Sequence, residues 1–373
     1  MRKRILQIIP TLDRAGAEKQ LTLLARGLPR DEFEVHVCAL TRGGPLLADL
    51  REVGIPVTLI GKRWKFDPRA YVRLLGLIRS LKPDLIHTWL FAANSYGRAA
   101  GLACGVPCLV ASERCVDPWK GWRDMLVDRY LARRTARIVA NSTAVRDFYV
   151  RQGLPAEKFV VIHNGIAPAE PSPISRQALL AELGLPEKAR LVGLVGRLWP
   201  QKRVKDAIWA ADMIKFVRDD VHLLIIGDGP QYDRLRRFRD QVRIRDKVHF
   251  LGHRDDVARI MPHLDALWST SAYEGQSNAI MEAMAAGVPV VATDIPGTRD
   301  LVVPEETGFL VSIHDLESKV RRAAFARNTN TLLEDRELAH RMGQSARQRI
   351  LREFNVEKMV QRHAELYQEL LEG

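Results

Sequence analysis

Two carboxylates eight residues apart, Glu274 and Glu282, mark the stretch YEGQSNAIMEAMAAGVPVVAT. Glu274 precedes a turn, Gly275, Gln276, Ser277 and Asn278, and Glu282 lies in the small-residue helical pattern that follows. A turn that opens a helix presents backbone N–H groups, and the helix dipole adds positive potential there. Carboxylates accept hydrogen bonds well from vicinal hydroxyls. Together these groups suit a hydroxyl-rich ligand that also carries an anion. The purely structural alternatives are a charge that complements the helix dipole, for Glu274, and an exposed helical residue, for Glu282.

A second group lies in VGRLWPQKR, where Arg197 and Lys202 flank a Trp-Pro loop. Arg offers a planar fork and Lys a compact charge, a pair suited to diphosphate oxygens. Shielded from water, each such hydrogen bond contributes about 1.5–3 kcal/mol. Both cations could neutralise charge that builds on a leaving group. Two solvated surface cations are the alternative. A third candidate is PTLDRAGAEKQL, in which Gly16 permits close backbone approach at the start of a helix. In FLGHRDDV, Gly252 to Arg254 could offer backbone groups to the edge of a base. IIGDGPQ and DIPGTRDL read as generic strand-to-helix turns, and Asp265 as a turn residue before ALWST. No GxGxxG fingerprint occurs, which weakens a nicotinamide or flavin reading.

These loops need a scaffold. Strand-like runs (RILQIIP, FEVHVCA, PVTLI, DLIHTW, PCLVAS, ARIVA, KFVVIH) alternate with amphipathic helical patterns over the first half. Short apolar runs between helices predict a parallel sheet covered on both faces. The rhythm breaks at Ala167–Pro173, then resumes with LVGLVG, HLLIIG, KVHFLG, ALWST and VPVVAT. The fold class expected is α/β, with two doubly wound Rossmann-like domains facing a central cleft. The expected boundaries are 1–166, a linker and lead-in over 167–190, 191–354, and a helix over 355–373 that packs back on the first domain. After Thr307–Leu310 the chain reads as helical. In such sheets ligands bind beyond the carboxyl ends of the strands, which is where these loops lie.

With 373 residues, two domains are the natural division. No run of eighteen apolar residues predicts a membrane span, and the N-terminus reads as a strand rather than a secretory signal. Cys38, Cys104, Cys108 and Cys115 lack metal or disulfide spacing and read as reduced thiols of a cytoplasmic protein. The net charge of +12 is uneven. Residues 1–170 carry 27 Lys+Arg against 16 Asp+Glu, and the remainder 30 against 29. A basic first half with Trp64, Trp119 and Trp122 beside Lys and Arg suits an anionic membrane surface, giving peripheral attachment at its inner face. Solvated helix faces are the bland alternative. No nucleic-acid motif accompanies the charge, so no nucleic-acid partner is expected.

The AGAE loop, VIHNGI, VGRL…QK, IIGDGP, EGQSNAIMEAMAAGVPVVATD…G and the tail MVQRHAELYQELL, in that order, resemble the retaining glycosyltransferases of family four, which have the GT-B fold. The resemblance covers nearly the whole chain. It implies a nucleotide-sugar donor on the second domain and a glycan or lipid-linked acceptor on the first, in cell-envelope or exopolysaccharide synthesis. It implies that Arg197 and Lys202 hold the diphosphate, that Glu282 meets the ribose, and that Glu274 lies near the donor sugar and phosphate. With Arg197 and Lys202, Glu274 is the candidate catalytic group. Gly16 would let the first domain reach the diphosphate. Many members carry a histidine in the loop after the fifth strand, but here VASERCVDPWKGW places Arg114 there. No catalytic histidine is assigned, and Glu113, Arg114 and His87 are acceptor-side candidates. Arg203 replaces the glycine that commonly follows the QK lysine, which would alter the local backbone or add a cation. No Asp-x-Asp pair occurs, so no metal and no other cofactor is expected. A donor-only epimerase or hydrolase, or a non-catalytic sugar-nucleotide binder, is the alternative on the same fold.

Overall fold

The computed structural model describes residues 2–312 and 319–372. It divides into two compact units, Met1–Gly165 with Phe354–Gly373, and Ile166–Glu353.

In the first unit, β1 (Lys3–Thr11), β2 (Phe33–Arg42), β3 (Val57–Leu59), β4 (Leu85–Trp89), β5 (Cys108–Glu113), β6 (Arg137–Ala140) and β7 (Phe159–Val161) form one sheet. The order is β3-β2-β1-β4-β5-β6-β7, and the pairings are parallel. The chain enters at β1, winds outward to β3, then crosses back to β4, so the order reverses between β1 and β4. Both faces of β1 are covered, which explains its continuous apolar run. Ile5 and Ile9 join one core cluster, and Leu6 and Ile8 join another on the opposite face.

The helix Val356–Glu372 belongs to this unit, and Met359, Val360 and Tyr367 lie in its core. A buried polar chain fastens it. The Tyr367 hydroxyl accepts from Gln7 Nε2 at 2.9 Å and lies 2.6 Å from His87 Nδ1. His87 Nε2 lies 2.8 Å from Ser112 Oγ, and Trp89 Nε1 donates to Gln7 Oε1 at 2.7 Å. Each buried polar group in this chain thereby finds a partner, which spares its desolvation cost.

The second unit holds β8 (Arg190–Val195), β9 (Val221–Ile226), β10 (Val248–Gly252), β11 (Ala266–Ser269), β12 (Val290–Asp294) and β13 (Gly308–Ser312). Their order is β10-β9-β8-β11-β12-β13, again parallel, with its reversal between β8 and β11. The strand β13 corrects the reading of a helical chain after Thr307–Leu310, since Gly308–Ser312 pairs with β12 along its whole length. Asp265 is also more than a turn residue. It accepts the Leu191 N–H at 2.7 Å and pairs with Arg176 at 2.5 Å and Arg190 at 3.4 Å. That hub ties the helix Arg176–Glu182 to the start of β8. Among the described residues no helix is long and apolar enough to cross a membrane, and no disulfide links the four cysteines.

Candidate active site

The loops after β8 and β9 are built as one body. The Gly196 N–H donates to the Ile226 carbonyl at 3.0 Å, and the Leu198 N–H to the Asp228 carbonyl at 2.9 Å. The Gln231 N–H returns to the Leu198 carbonyl at 3.1 Å. A Cβ at Gly227, whose φ is +141°, would lie 2.0 Å from the Gly196 carbonyl oxygen. The IIGDGPQ turn is therefore the support of the Arg197 loop. Arg197 at its tip is exposed, and its side chain makes no hydrogen bond or ion pair with the described residues. Pro200–Lys202 then forms a short 3-10 turn. Arg203 follows at φ 48°, ψ 39°, the left-handed region that glycine favours. Its guanidinium is drawn to Asp206 at 2.7 Å, and Arg322 joins the same carboxylate at 3.2 Å. The backbone keeps a glycine-like turn, and the extra cation is neutralised locally.

Lys202 reaches from this loop to Glu274. Its ammonium pairs with Glu274 Oε1, to which Ser271 Oγ also donates at 2.7 Å. Gln201 Nε2 lies 3.4 Å from Oε2 and donates to the Tyr273 carbonyl at 2.8 Å. The Ala272 N–H donates to the Gln201 carbonyl at 2.8 Å, and Thr270 Oγ1 to the Lys202 carbonyl at 2.7 Å. Thr293 Oγ1, on β12, donates to the Ser271 carbonyl at 2.6 Å. Glu274 is only 9% exposed, and Gly275, Gln276 and Ser277 are buried beside it. A solvated charge that merely complements a helix dipole does not fit that burial. The turn rests on Gly297, where a Cβ would lie 2.4 Å from the Gly275 carbonyl oxygen and 2.5 Å from that of Glu274.

The helix Asn278–Ala285 starts at Ser277, which makes no side-chain cap. Ile280, Met281, Ala283 and Met284 face the core. Asn278 and Glu282, one turn apart, share the half-buried face. Glu274, Lys202 and the start of this helix thus gather at the carboxyl ends of β8 and β11, with Glu282 one turn inside. Gly252 ends β10 at φ +69°, and its carbonyl accepts the Gly227 N–H at 2.7 Å. The Arg254 side chain is held by carboxylates, its Nε and Nη2 meeting Asp256 at 2.7 Å and its Nη2 meeting Glu182 at 3.0 Å.

The acceptor-side candidates all lie in the first unit. Gly16 opens the helix Gly16–Gly27 and is exposed. His87 is fully buried in β4, with both ring nitrogens engaged as described. Burial, helped by the charges of His363 and Arg114, holds it well below the usual imidazole range, so it stays neutral. Glu113 is buried against Asn94, whose Nδ2 donates at 2.9 Å, and Lys120 at 3.7 Å. Burial pushes its carboxyl up to about 7 against the pull of Lys120. Arg114 is 7% exposed, stacks 4.9 Å from the Trp89 ring and donates to Asn164 Oδ1. Its Nε and Nη1 have no hydrogen-bond partner among the described residues. Burial lowers its pKa to about 9. Ser271, Gln201 and Gly297 are supports that reading single motifs missed. Of these, Gln201 carried a signal as the glutamine of the VGRL…QK pattern, and Gly297 as the glycine that closes the ATD…G pattern.

Residues 14–170 match Glycosyltransferase Family 4, and residues 175–349 match Glycosyl transferases group 1. The UDP-Gal:alpha-D-GlcNAc-diphosphoundecaprenol alpha-1,3-galactosyltransferase of Escherichia coli is 26% identical, covering 97% of this chain and 95% of that one. A GDP-mannose-dependent alpha-mannosyltransferase of Mycobacterium tuberculosis is 29% identical over 66% of this chain and 65% of its own. The structure of HepE from Anabaena, in complex with UDP and glucose, superposes with a TM-score of 0.88 at 25% identity, covering 99% of this chain and 100% of that one. With two parallel Rossmann-like sheets and both sequence matches in the expected order, the chain belongs to the glycosyltransferases of family four and has their GT-B fold.

Proposed function

We propose that the protein transfers a hexose from a nucleoside-diphosphate sugar to a hydroxyl of a lipid-linked glycan, with retained anomeric configuration, in cell-envelope or exopolysaccharide synthesis. The observation that carries this reading is the Lys202–Glu274 pair, with Glu274 buried and Lys202 half-buried, at the carboxyl ends of β8 and β11. Arg197 and Lys202 bind the diphosphate, helped by the turn Gly275–Asn278. Glu282 takes the ribose hydroxyls, and the backbone at Gly252 to Arg254 reads the base. The UDP and UDP-glucose held by HepE support a uridine diphosphate sugar as donor.

In the reaction the bond from the anomeric carbon to the β-phosphate oxygen breaks. The acceptor oxygen bonds to that carbon from the same face, and its proton passes to the departing diphosphate. Such a course needs positioning and leaving-group stabilisation more than a strong base. Arg197 and Lys202 supply that stabilisation, so the reaction proceeds without a metal. EDTA should leave the rate intact, and a loss reversed by manganese would count against this. Arg114 accounts for an anionic acceptor, because two of its buried nitrogens lack partners. The diphosphoundecaprenol named for the Escherichia coli relative has that chemistry.

The test is a thermal-shift screen of UDP-, GDP- and ADP-sugars, then nucleotide release with and without a lipid-diphosphate glycan. A UDP-sugar should raise the melting temperature, and the acceptor should accelerate release. Release that ignores the acceptor would favour a donor-only hydrolase and sink the reading.

A further inference from the structure

The first unit exposes large aromatic side chains that nothing among the described residues covers. Trp64 is 61% exposed, Phe66 81%, Trp119 60% and Trp122 69%. Leu126 at 50% and Tyr130 at 57% continue from Trp122 along the helix Trp122–Ala132. Positions 122, 126 and 130 are four apart, so they form one outward stripe. Met125, Leu131 and Ala132 of the same helix are buried. The helix is thus apolar on its solvent side as well as its core side, which water alone does not favour.

The segment 61–66 and this helix belong to one surface. Lys65 pairs with Asp124 at 3.5 Å, and the Tyr96 hydroxyl donates to the Lys65 carbonyl at 3.0 Å. Trp119 packs edge-on against Phe91 at 5.5 Å. Both segments follow strands of the sheet, β3 and β5, at their carboxyl ends, the edge where Arg114 lies. Cations border the rings. The Arg123 guanidinium lies 5.1 Å from the Trp122 ring, and Arg134 lies 3.9 Å from that of Tyr130. Arg63 and Arg133 are exposed nearby in the sequence. The carboxylates of this stretch are buried or held: Asp67, Glu113 and Asp128 are buried, Asp124 is paired with Lys65, and the half-buried Asp117 pairs with Lys120 at 3.5 Å and accepts from Trp119 Nε1 at 3.1 Å.

We propose that this face docks on an anionic lipid bilayer, with its aromatic side chains entering the headgroup region. The idea rests on the lipid-linked acceptor reading and sharpens it, because the docking face shares its sheet edge with Arg114. Trp and Tyr flanked by Arg and Lys are the side chains suited to that interface. Charge brings the protein to the surface, and the rings hold it there. Attachment therefore survives salt in part, unlike a purely basic patch, whose grip is screened within a Debye length.

The experiment is cosedimentation of the full chain with phosphatidylcholine vesicles containing about a third phosphatidylglycerol, and with phosphatidylcholine alone. It is run at low and high salt on the wild type and on a Trp64→Ser/Phe66→Ser/Trp122→Ser variant. All three side chains are exposed, so the variant should keep its melting temperature. The wild type should bind the anionic vesicles, keep part of that binding at high salt, and lose about tenfold or more in the variant. Transfer to a short-chain, water-soluble acceptor should be unchanged in the variant. Its absence from both proteins would indict the transferase reading and leave vesicle binding to be judged alone. Three results would overturn the proposal: no wild-type binding, equal binding by the variant, or a wild-type oligomer that the variant dissolves without any vesicle effect.

Discussion

Lys202 and Glu274 are each other's counter-ion, largely out of water. A buried pair of this kind gives little net stability, because the desolvation of both ions offsets their attraction. Its presence is better explained by use than by folding. An incoming diphosphate would compete with Glu274 for the ammonium, leaving the carboxylate to Ser271 and Gln201. Glu274→Gln keeps the hydrogen-bonding shape and removes the charge. It is expected to lower kcat roughly 10²–10³-fold with a small change in melting temperature. A rate near that of the wild type in folded protein would refute the assignment. Lys202→Ala leaves Glu274 buried without its cation, so a lower melting temperature should accompany the loss of rate, and both need measuring. Gly297→Ala should act at a distance from the ligand. Its methyl would press on the Glu274 and Gly275 carbonyls, so kcat should fall several-fold while donor-free thermal stability drops. An unaltered kcat would show that the turn can yield. Glu274, Lys202 and Arg197 could be singled out as candidates by their types and spacing. The supports could not, because Gln201 meets Tyr273 and Glu274 across more than seventy residues of chain.

At the scale of elements, the strands and their order of appearance were largely legible, since covered parallel strands announce themselves as apolar runs. β13 was not read as a strand, although Gly308–Ser312 pairs with β12 along its whole length. His87 was legible as a residue in a strand before a loop, but its partner Tyr367 is 280 residues away. Tyr367→Phe deletes the hydroxyl that both Gln7 and His87 use, and should cost about 1–3 kcal/mol, read as a lower melting temperature. The same network sets an acid limit. His87, and His363 at about 3, are neutral when folded and would take up protons when unfolded. Their folded values are depressed, so this stability is present above the free imidazole range and is lost as pH falls below about 6.5 toward 3. Glu113 runs the other way. Its folded value is raised to about 7, so its contribution is full at acid pH and is lost as pH rises from about 4.5 to 7. Glu113→Gln should therefore gain melting temperature over the wild type between pH 5 and 8. An equal difference at both pH values would place the cause elsewhere.

Across the whole molecule, the charge asymmetry and the two-unit division were visible in composition and rhythm. The docking face was only half visible. Trp64, Trp119 and Trp122 could be seen beside cations, but their exposure depends on which side of each element meets the core. The first unit is also discontinuous, since Phe354–Gly373 completes what Met1–Gly165 begins. That arrangement has a consequence for biosynthesis. The intervening unit is contiguous and can close on itself as it leaves the ribosome. The first sheet must wait, with Gln7 and His87 lacking their Tyr367 partner and the apolar seat of the helix Val356–Glu372 open, until nearly two hundred further residues have been made. During that interval the first unit stands open, so a chain cut short at Glu353 should keep the second unit's residues but leave the first without the helix that completes its core.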